Sequence, residues 1–188
     1  VAEVALRHRV QTVRLRLAIL ALALTLVAGG STAPGAPASK ADRAGAGNDQ
    51  LVGTEAPDRL DGRKGDDQLN GLGGADVLRG GPGDDRLVGG AGNDKLLGGP
   101  GADVIAGDQG NDALAGGPDA DTLLGGSGND RIDAGDGAGD VVDGGDGRDT
   151  IRAADGARDT IGCGQGRDRV YADAIDRVAK DCERVTRG

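Results

Sequence analysis

Past its first forty residues, the chain places one fixed apolar residue in every nine. From residue 44, ten consecutive nine-residue blocks align without a gap as far as 133, and their eighth place is always Leu or Ile, from Leu51 through Ile105 to Ile132. The flanking places vary, so a triplet such as Lys95-Leu96-Leu97 predicts a short strand that turns only its middle side chain inward. The other half of each block, such as 89–94 (GGAGND), is rich in Gly, which supplies the φ > 0 conformations of tight turns. The predicted order is turn, short strand, turn, short strand.

The sixth place is Asp in all ten blocks: Asp49, Asp58, Asp67, Asp76, Asp85, Asp94, Asp103, Asp112, Asp121 and Asp130. The first place is Gly except at Ala44, and the fourth is Gly except at Ala56 and Asp119. Beyond 133 the pattern loosens. Blocks 134–143 and 153–162 have ten residues yet keep Asp140 with Val142 and Asp159 with Ile161, which predicts bulges in a continuing coil.

Closing a coil takes two facing strands, so two blocks make one 18-residue coil, and coils stack at about 4.8 Å. Asp49, Asp67, Asp85, Asp103 and Asp121 then share one edge, with Asp58, Asp76, Asp94, Asp112 and Asp130 on the other. Carboxylates stacked this way repel one another. A hard divalent cation between turns relieves the repulsion, and Ca²⁺, which takes six to eight oxygens in flexible geometry, fits better than Mg²⁺.

Composition sharpens this reading. Of 188 residues 38 are Gly and only Tyr171 is aromatic, and Leu, Ile and Val supply 25 of the 150 residues after 38, too few for an ordinary core. A disordered acidic chain would have the same composition, but not the fixed register of Asp, Gly and Leu. After residue 38 there are 18 basic and 30 acidic residues, a net of −12, and 28 of the acids are Asp. Such a chain repels nucleic acid and attracts cations.

Arg7, Arg9, Arg14 and Arg16 precede an apolar run at 17–28, interrupted only by Thr25, and a small-residue stretch ending in Ala36-Pro37-Ala38. This is the order of an export signal, expected over 1–38, with an uncleaved anchor as the other reading. A run of twelve residues, eleven of them apolar, falls short of the roughly 20 that span a bilayer, so no membrane span is expected in the mature chain.

Blocks 80–88 (GGPGDDRLV), 89–97 (GGAGNDKLL), 98–106 (GGPGADVIA) and 125–133 (GGSGNDRID) resemble the G-G-x-G-x-D-x-U-x nonapeptide of the RTX, or haemolysin-type, calcium-binding repeat family. The resemblance implies an all-β fold, a right-handed parallel β-roll (a β-solenoid), binding several Ca²⁺ in its turns. The ligands it implies are Asp67, Asp76, Asp85, Asp94, Asp103, Asp112, Asp121, Asp130 and Asp149 at the sixth place, and Asp84, Asn93, Asn111 and Asn129 at the fifth. The turn glycines are Gly81, Gly83, Gly90, Gly92, Gly99, Gly101, Gly126 and Gly128. Blocks 53–61 and 62–70 lack the second Gly, and Asp119 replaces a fourth, so weak or missing sites are expected towards the N-terminal end. Family members often use an uncleaved C-terminal signal and carry a catalytic or pore-forming domain, and neither feature transfers to a chain with an N-terminal export segment.

The expected organisation is therefore an export signal at 1–38, a linker at 39–43, the roll at 44–171 and a C-terminal cap at 172–188. In an exported chain the two cysteines, Cys163 and Cys182, most simply form one disulfide, worth about 3 kcal/mol in the chain-entropy model. Ile175, Val178, Cys182 and Val185 have helical spacing while Asp176-Arg177-Val178 looks like a last degenerate repeat, so a coil and a short helix both remain open. An enzyme is not expected: the only His is His8, and no nucleophile or metalloprotease motif occurs. Two functions remain, a calcium-binding structural or cell-surface module that folds outside the cytoplasm, and an adhesin for a polysaccharide or cell-surface partner. The outward seventh and ninth places carry no repeated residue that would identify an extracellular partner.

Overall fold

A three-residue strand has too few contacts to stand alone, but parallel pairing on both sides with residues 18 apart satisfies its backbone. The computed structural model, which describes residues 41–137 and 139–188, is built this way. Its strands are β1 (Ala41–Arg43), β2 (Gln50–Thr54), β3 (Arg59–Asp61), β4 (Gln68–Gly73), β5 (Val77–Arg79), β6 (Arg86–Ala91), β7 (Lys95–Leu97), β8 (Val104–Gln109) and β9 (Ala113–Gly117). They continue as β10 (Thr122–Ser127), β11 (Arg131–Gly135), β12 (Val141–Gly147), β13 (Thr150–Ala153), β14 (Thr160–Gly166), β15 (Arg169–Ala172), β16 (Arg177–Val178) and β17 (Arg184–Arg187). Odd-numbered strands form one parallel sheet and even-numbered strands the other. The fold is an all-β solenoid with two strands per coil and no helix among the described residues. The expected export signal lies outside the described residues.

Register follows the sequence repeat. Leu69 pairs with Leu87 and Leu87 with Ile105 in one sheet, while Leu78 pairs with Leu96 in the other, all 18 residues apart. Past the ten-residue blocks the offset becomes 19, as Leu123 pairs with Val142 and Ile132 with Ile151. The extra residue is absorbed in the turn, so the apolar place keeps its face.

The core is one ladder of eighth-place side chains, continued by Val142, Ile151, Ile161 and Val170, with every rung from Leu60 to Val170 at most 2 % exposed. Strand alternation turns a second position inward two residues on, the first place of the next block. In the regular blocks that residue is Gly. The strands of the even sheet run through it to five to seven residues, longer than the expected triplets, apart from the terminal β16.

The ends differ from expectation. Residues 41–43, expected as linker, form β1 and pair with β3. The cap is a coil: β16 and β17 extend both sheets, Val178 and Cys182 pack against the core, and Ile175 and Val185 stay exposed, so the helical spacing is incidental. Cys163 and Cys182 form the disulfide, tying the buried Cys163 of β14 to the last coil. Of three arginines at the outward seventh place, Arg59 and Arg131 are exposed, whereas Arg86 is half-buried. Tyr171 lies beside the Arg152 guanidinium, 5.9 Å from its ring centre.

Removing a rung tests the ladder. Leu96→Ala should lower the unfolding free energy by about 2–5 kcal/mol, read as a fall in the urea midpoint of the folded chain. Val52→Ala, at an exposed strand position, should stay within about 0.5 kcal/mol. Equal effects would mean that the ladder is not the core.

Candidate metal centre

Each sixth-place Asp sits at the corner where a turn enters a strand, and its carboxylate folds back beneath its own turn. Oδ1 accepts a hydrogen bond from the backbone N–H of the corresponding Asp one coil earlier. Asp49 donates to Asp67, Asp67 to Asp85, Asp85 to Asp103 and Asp103 to Asp121 on one edge, at 2.7–2.8 Å. On the other edge Asp58 donates to Asp76, Asp76 to Asp94, Asp94 to Asp112 and Asp112 to Asp130, at 2.7–2.8 Å. The two expected edges are therefore both present. They continue through Asp140 and Asp159, and through Asp149 and Asp168.

Oδ2 has no such partner. On Asp67, Asp76, Asp85, Asp94, Asp103, Asp112, Asp121, Asp130, Asp140, Asp149, Asp159 and Asp168 it is sealed from solvent without a hydrogen-bond donor, and these residues are at most 3 % exposed. A buried, unsatisfied carboxylate oxygen is costly. Six of them are stacked on each edge.

The first-place glycine makes room for that oxygen. A Cβ on Gly98 would stand 2.2 Å from Asp103 Oδ2 and 2.8 Å from the Gly116 carbonyl. Gly98 needs no left-handed backbone; it needs an absent side chain. At the second and fourth places the reason is conformational, and all eight turn glycines singled out from the sequence have positive φ, such as 102° at Gly90 and 144° at Gly92. Arg63, Leu72 and Asp108 at the second place, and Asp119 at the fourth, hold the same left-handed conformation without being Gly. The turn shape thus survives at Arg63 and Asp119, where weakened sites are expected.

Asp58 does differ. Its Oδ2 accepts hydrogen bonds from the Thr54 backbone N–H at 2.5 Å and the Thr54 hydroxyl at 2.9 Å. Asp49 Oδ2 accepts from Gly45 N–H at 2.8 Å. At the other end Asp176 Oδ2 accepts from Asp173 N–H at 2.6 Å. The stack that contains Asp67 ends on ordinary donors at both Asp49 and Asp176, whereas the other is closed by Thr54 at Asp58 and ends on Asp168 with Oδ2 still unsatisfied.

Fifth-place residues lie on an outer, exposed line with its own ladder. Asn93 Oδ1 accepts from Asn111 N–H at 2.7 Å, Asn111 from Asn129 at 2.7 Å, and Asp84 Oδ1 from Ala102 at 2.9 Å. This ladder runs opposite to the inner one, each side chain reaching the next coil rather than the previous one. Sequence reasoning grouped the fifth place with the sixth; the structure separates them.

Electrostatics follow from this burial. Desolvation, opposed by the backbone hydrogen bond to Oδ1 and reinforced by neighbouring carboxylates, pushes Asp76, Asp85, Asp149 and Asp159 up to about 6. The same causes push Asp112 and Asp121 up to about 7 and Asp103 to about 8. Asp67, Asp94, Asp130 and Asp140 are raised as well, burial again the largest cause. The donor set of carboxylates and turn carbonyls, without His or free Cys, suits a hard divalent cation of the size and flexibility of Ca²⁺.

Without metal the folded roll binds more protons than the unfolded chain, whose Asp titrates near 3.8. Its stability is therefore full below about pH 4 and falls as pH rises towards about 8. In EDTA, the far-UV circular dichroism signal of β-structure should be larger at pH 5 than at pH 8.5. A larger signal at pH 8.5 would show that the carboxylates are not held as described.

Matches to the RTX calcium-binding nonapeptide repeat cover residues 43–78, 79–114, 107–140, 115–151 and 135–170. No curated protein matches the chain. With matches running unbroken from 43 to 170, over the same coils that carry the two carboxylate stacks, the chain belongs to the RTX calcium-binding nonapeptide-repeat family, and its repeats bind several Ca²⁺ ions.

Proposed function

We propose that the chain is a non-enzymatic structural module, exported and ordered by calcium outside the cytoplasm. The observation that carries this reading is the pair of stacks of buried carboxylate oxygens without donors. The ligands are the Oδ2 atoms of Asp67, Asp76, Asp85, Asp94, Asp103, Asp112, Asp121, Asp130 and Asp149, with carbonyl oxygens of the turns containing Gly81, Gly83, Gly90, Gly92, Gly99, Gly101, Gly126 and Gly128. Asp84, Asn93, Asn111 and Asn129 act instead as outer hydrogen-bond rungs. When bound, Ca²⁺ supplies the charge that Oδ2 otherwise lacks, while Oδ1 keeps its bond to the previous coil. Metal binding and the docking of one coil on the next are then a single event.

Export is supported by the order of basic, apolar and small residues over 1–38 and by the Cys163–Cys182 disulfide, which persists in oxidising compartments. The absence of catalytic motifs from the sequence supports a structural role. The roll is proposed to run from 41 to 171, with the final coil at 172–188 as its cap.

Titrating the full chain, disulfide intact, with Ca²⁺ should give a cooperative gain of β signal at roughly 10⁻⁴–10⁻³ M, the range of weak extracellular sites. Mg²⁺ should not reproduce it. A spectrum at neutral pH that is the same in EDTA and in Ca²⁺ would overturn the proposal. Asn substitutions keep Oδ1 as an acceptor and remove the charge. The double change Asp94→Asn with Asp112→Asn should therefore raise the Ca²⁺ midpoint and reduce the number of bound ions, whereas Asp58→Asn, where Thr54 already holds Oδ2, should shift the midpoint less. An equal shift would remove the distinction drawn between interior and terminal carboxylates.

A further inference from the structure

In the regular coils no three carboxylates of the described residues come within ligating distance of one another. One group among the described residues departs from this rule: Asp140, Asp155 and Asp159 each offer a carboxylate oxygen within 4.8 Å of the others. Asp140 and Asp159 are successive sixth-place equivalents on one edge. Asp155 is not. It occupies the third place of the ten-residue block 153–162, where blocks 80–133 have Pro, Ala, Gln or Ser.

We propose that Asp140, Asp155 and Asp159 form a three-carboxylate calcium site, of higher charge than the repeat sites and filled before them. The inference rests on the calcium reading of the repeats and adds to it a ligand that the nonapeptide pattern does not contain.

Burial supports a ligand here. Asp140 and Asp159 are fully buried, and their Oδ1 atoms are committed to the N–H groups of Asp121 and Asp140, at 2.8 and 2.9 Å. Asp155 Oδ1 accepts from Ala157 N–H at 2.8 Å, which fixes the side chain on its turn. Oδ2 of all three is sealed from solvent and has no donor. None of the three forms an ion pair with a described residue. Three carboxylates so close, without a cation among the side chains, repel strongly.

Asp146, at the third place of the nine-residue block 144–152, is exposed and outside the group, so a third-place Asp alone does not account for Asp155, which lies in a ten-residue turn. Its sequence counterpart in the preceding ten-residue block, Asp136, is exposed and belongs to no such group, so an extra residue alone does not build the site. An oxygen-only site of charge −3 holds Ca²⁺ more tightly than a two-carboxylate site, since ligand charge sets affinity in such sites. By the same logic it favours a trivalent lanthanide more strongly than the repeats do.

The test is a set of Ca²⁺-binding isotherms on the full chain, on Asp155→Asn and on Asp136→Asn, with far-UV circular dichroism at saturating Ca²⁺ to verify the fold. The parent chain should show one ion bound ahead of the rest. Asp155→Asn, which keeps the Oδ1 acceptor, should weaken that ion by roughly tenfold and leave the others in place, while Asp136→Asn should match the parent. Superimposable isotherms for Asp155→Asn and the parent, with both binding Ca²⁺, would overturn this site and leave the repeat sites standing. A parent chain that binds no Ca²⁺ would overturn both. Independently of any variant, competition on the parent chain should show the first equivalent of Tb³⁺ preferred over Ca²⁺ by a larger factor than later equivalents, and equal preference throughout would also overturn the site.

Discussion

Each interior sixth-place aspartate has its two carboxylate oxygens in opposite circumstances, and the rest of the structure depends on that division. Oδ1 is a structural acceptor that pins the coil to its neighbour through a backbone N–H, at 2.7–2.8 Å from Asp67 to Asp149. Oδ2 is buried with nothing to satisfy it. A neutral side chain of the same shape would hold the coils and ask for nothing further; a carboxylate holds them and demands a proton or a cation. Because the apolar ladder contributes only one rung per strand, the folded state has little surplus with which to absorb a row of unsatisfied charges. Coupling of folding to a cation therefore follows from how thin the core is as much as from how acidic the turns are.

Glycine serves this arrangement in two distinct ways. At Gly92 the chain needs a left-handed turn, and a Cβ would meet the Gly74 carbonyl of the previous coil. At Gly98 the backbone is ordinary, and the missing side chain is the space that Asp103 occupies. Where the first place does carry a Cβ, at Ala134 and Ala153, the block has ten residues. Cys163 and Ala44, also with a Cβ at the first place but in nine-residue blocks, lie close to the ends of the stack.

Much of this was legible in the sequence because the repeat is strictly periodic. A nine-residue period with one apolar place dictates two strands per 18-residue coil, and this alone assigns Asp67 and Asp85 to one edge and Asp76 and Asp94 to the other. Periodicity cannot say what each oxygen does. The opposed Oδ1 ladders of the fifth and sixth places depend on the direction in which side chains leave the turn, and Asn93 and Asp94 are indistinguishable on that count in a linear reading. Asp155 was hidden for a related reason: it lies in an irregular block, and alignment by period discounts the residues that break it. Thr54 was read as a lost glycine, whereas its hydroxyl and N–H replace what the interior turns lack. The C-terminal coil was ambiguous because four residues of helical spacing also fit a strand-turn-strand path, and the choice was made by backbone pairing of Arg169–Ala172 with Arg184–Arg187.

Ending the stack raises a second physical problem, since a parallel solenoid leaves an open row of backbone donors and acceptors at each end, a template for pairing with another chain. Three of the four terminal strands are short or charged: β17 carries Arg184 and Arg187 and is exposed along its length, β16 is only two residues long and contains Arg177, and β1 is a triplet ending in Arg43, whereas β2, at the edge of the even sheet, carries Leu51 and Val52. Three of the four ends of the carboxylate stacks are closed by ordinary donors, as Gly45, Thr54 and Asp173 donate to Oδ2 of Asp49, Asp58 and Asp176, and only Asp168 ends its stack with an unsatisfied Oδ2. An unsatisfied carboxylate at an open end would invite a cation shared with a second molecule, and an apolar edge strand would invite that molecule's backbone. Closing three of the four stack ends concentrates the demand for calcium on the interior, where meeting it joins a coil to the next coil of the same chain.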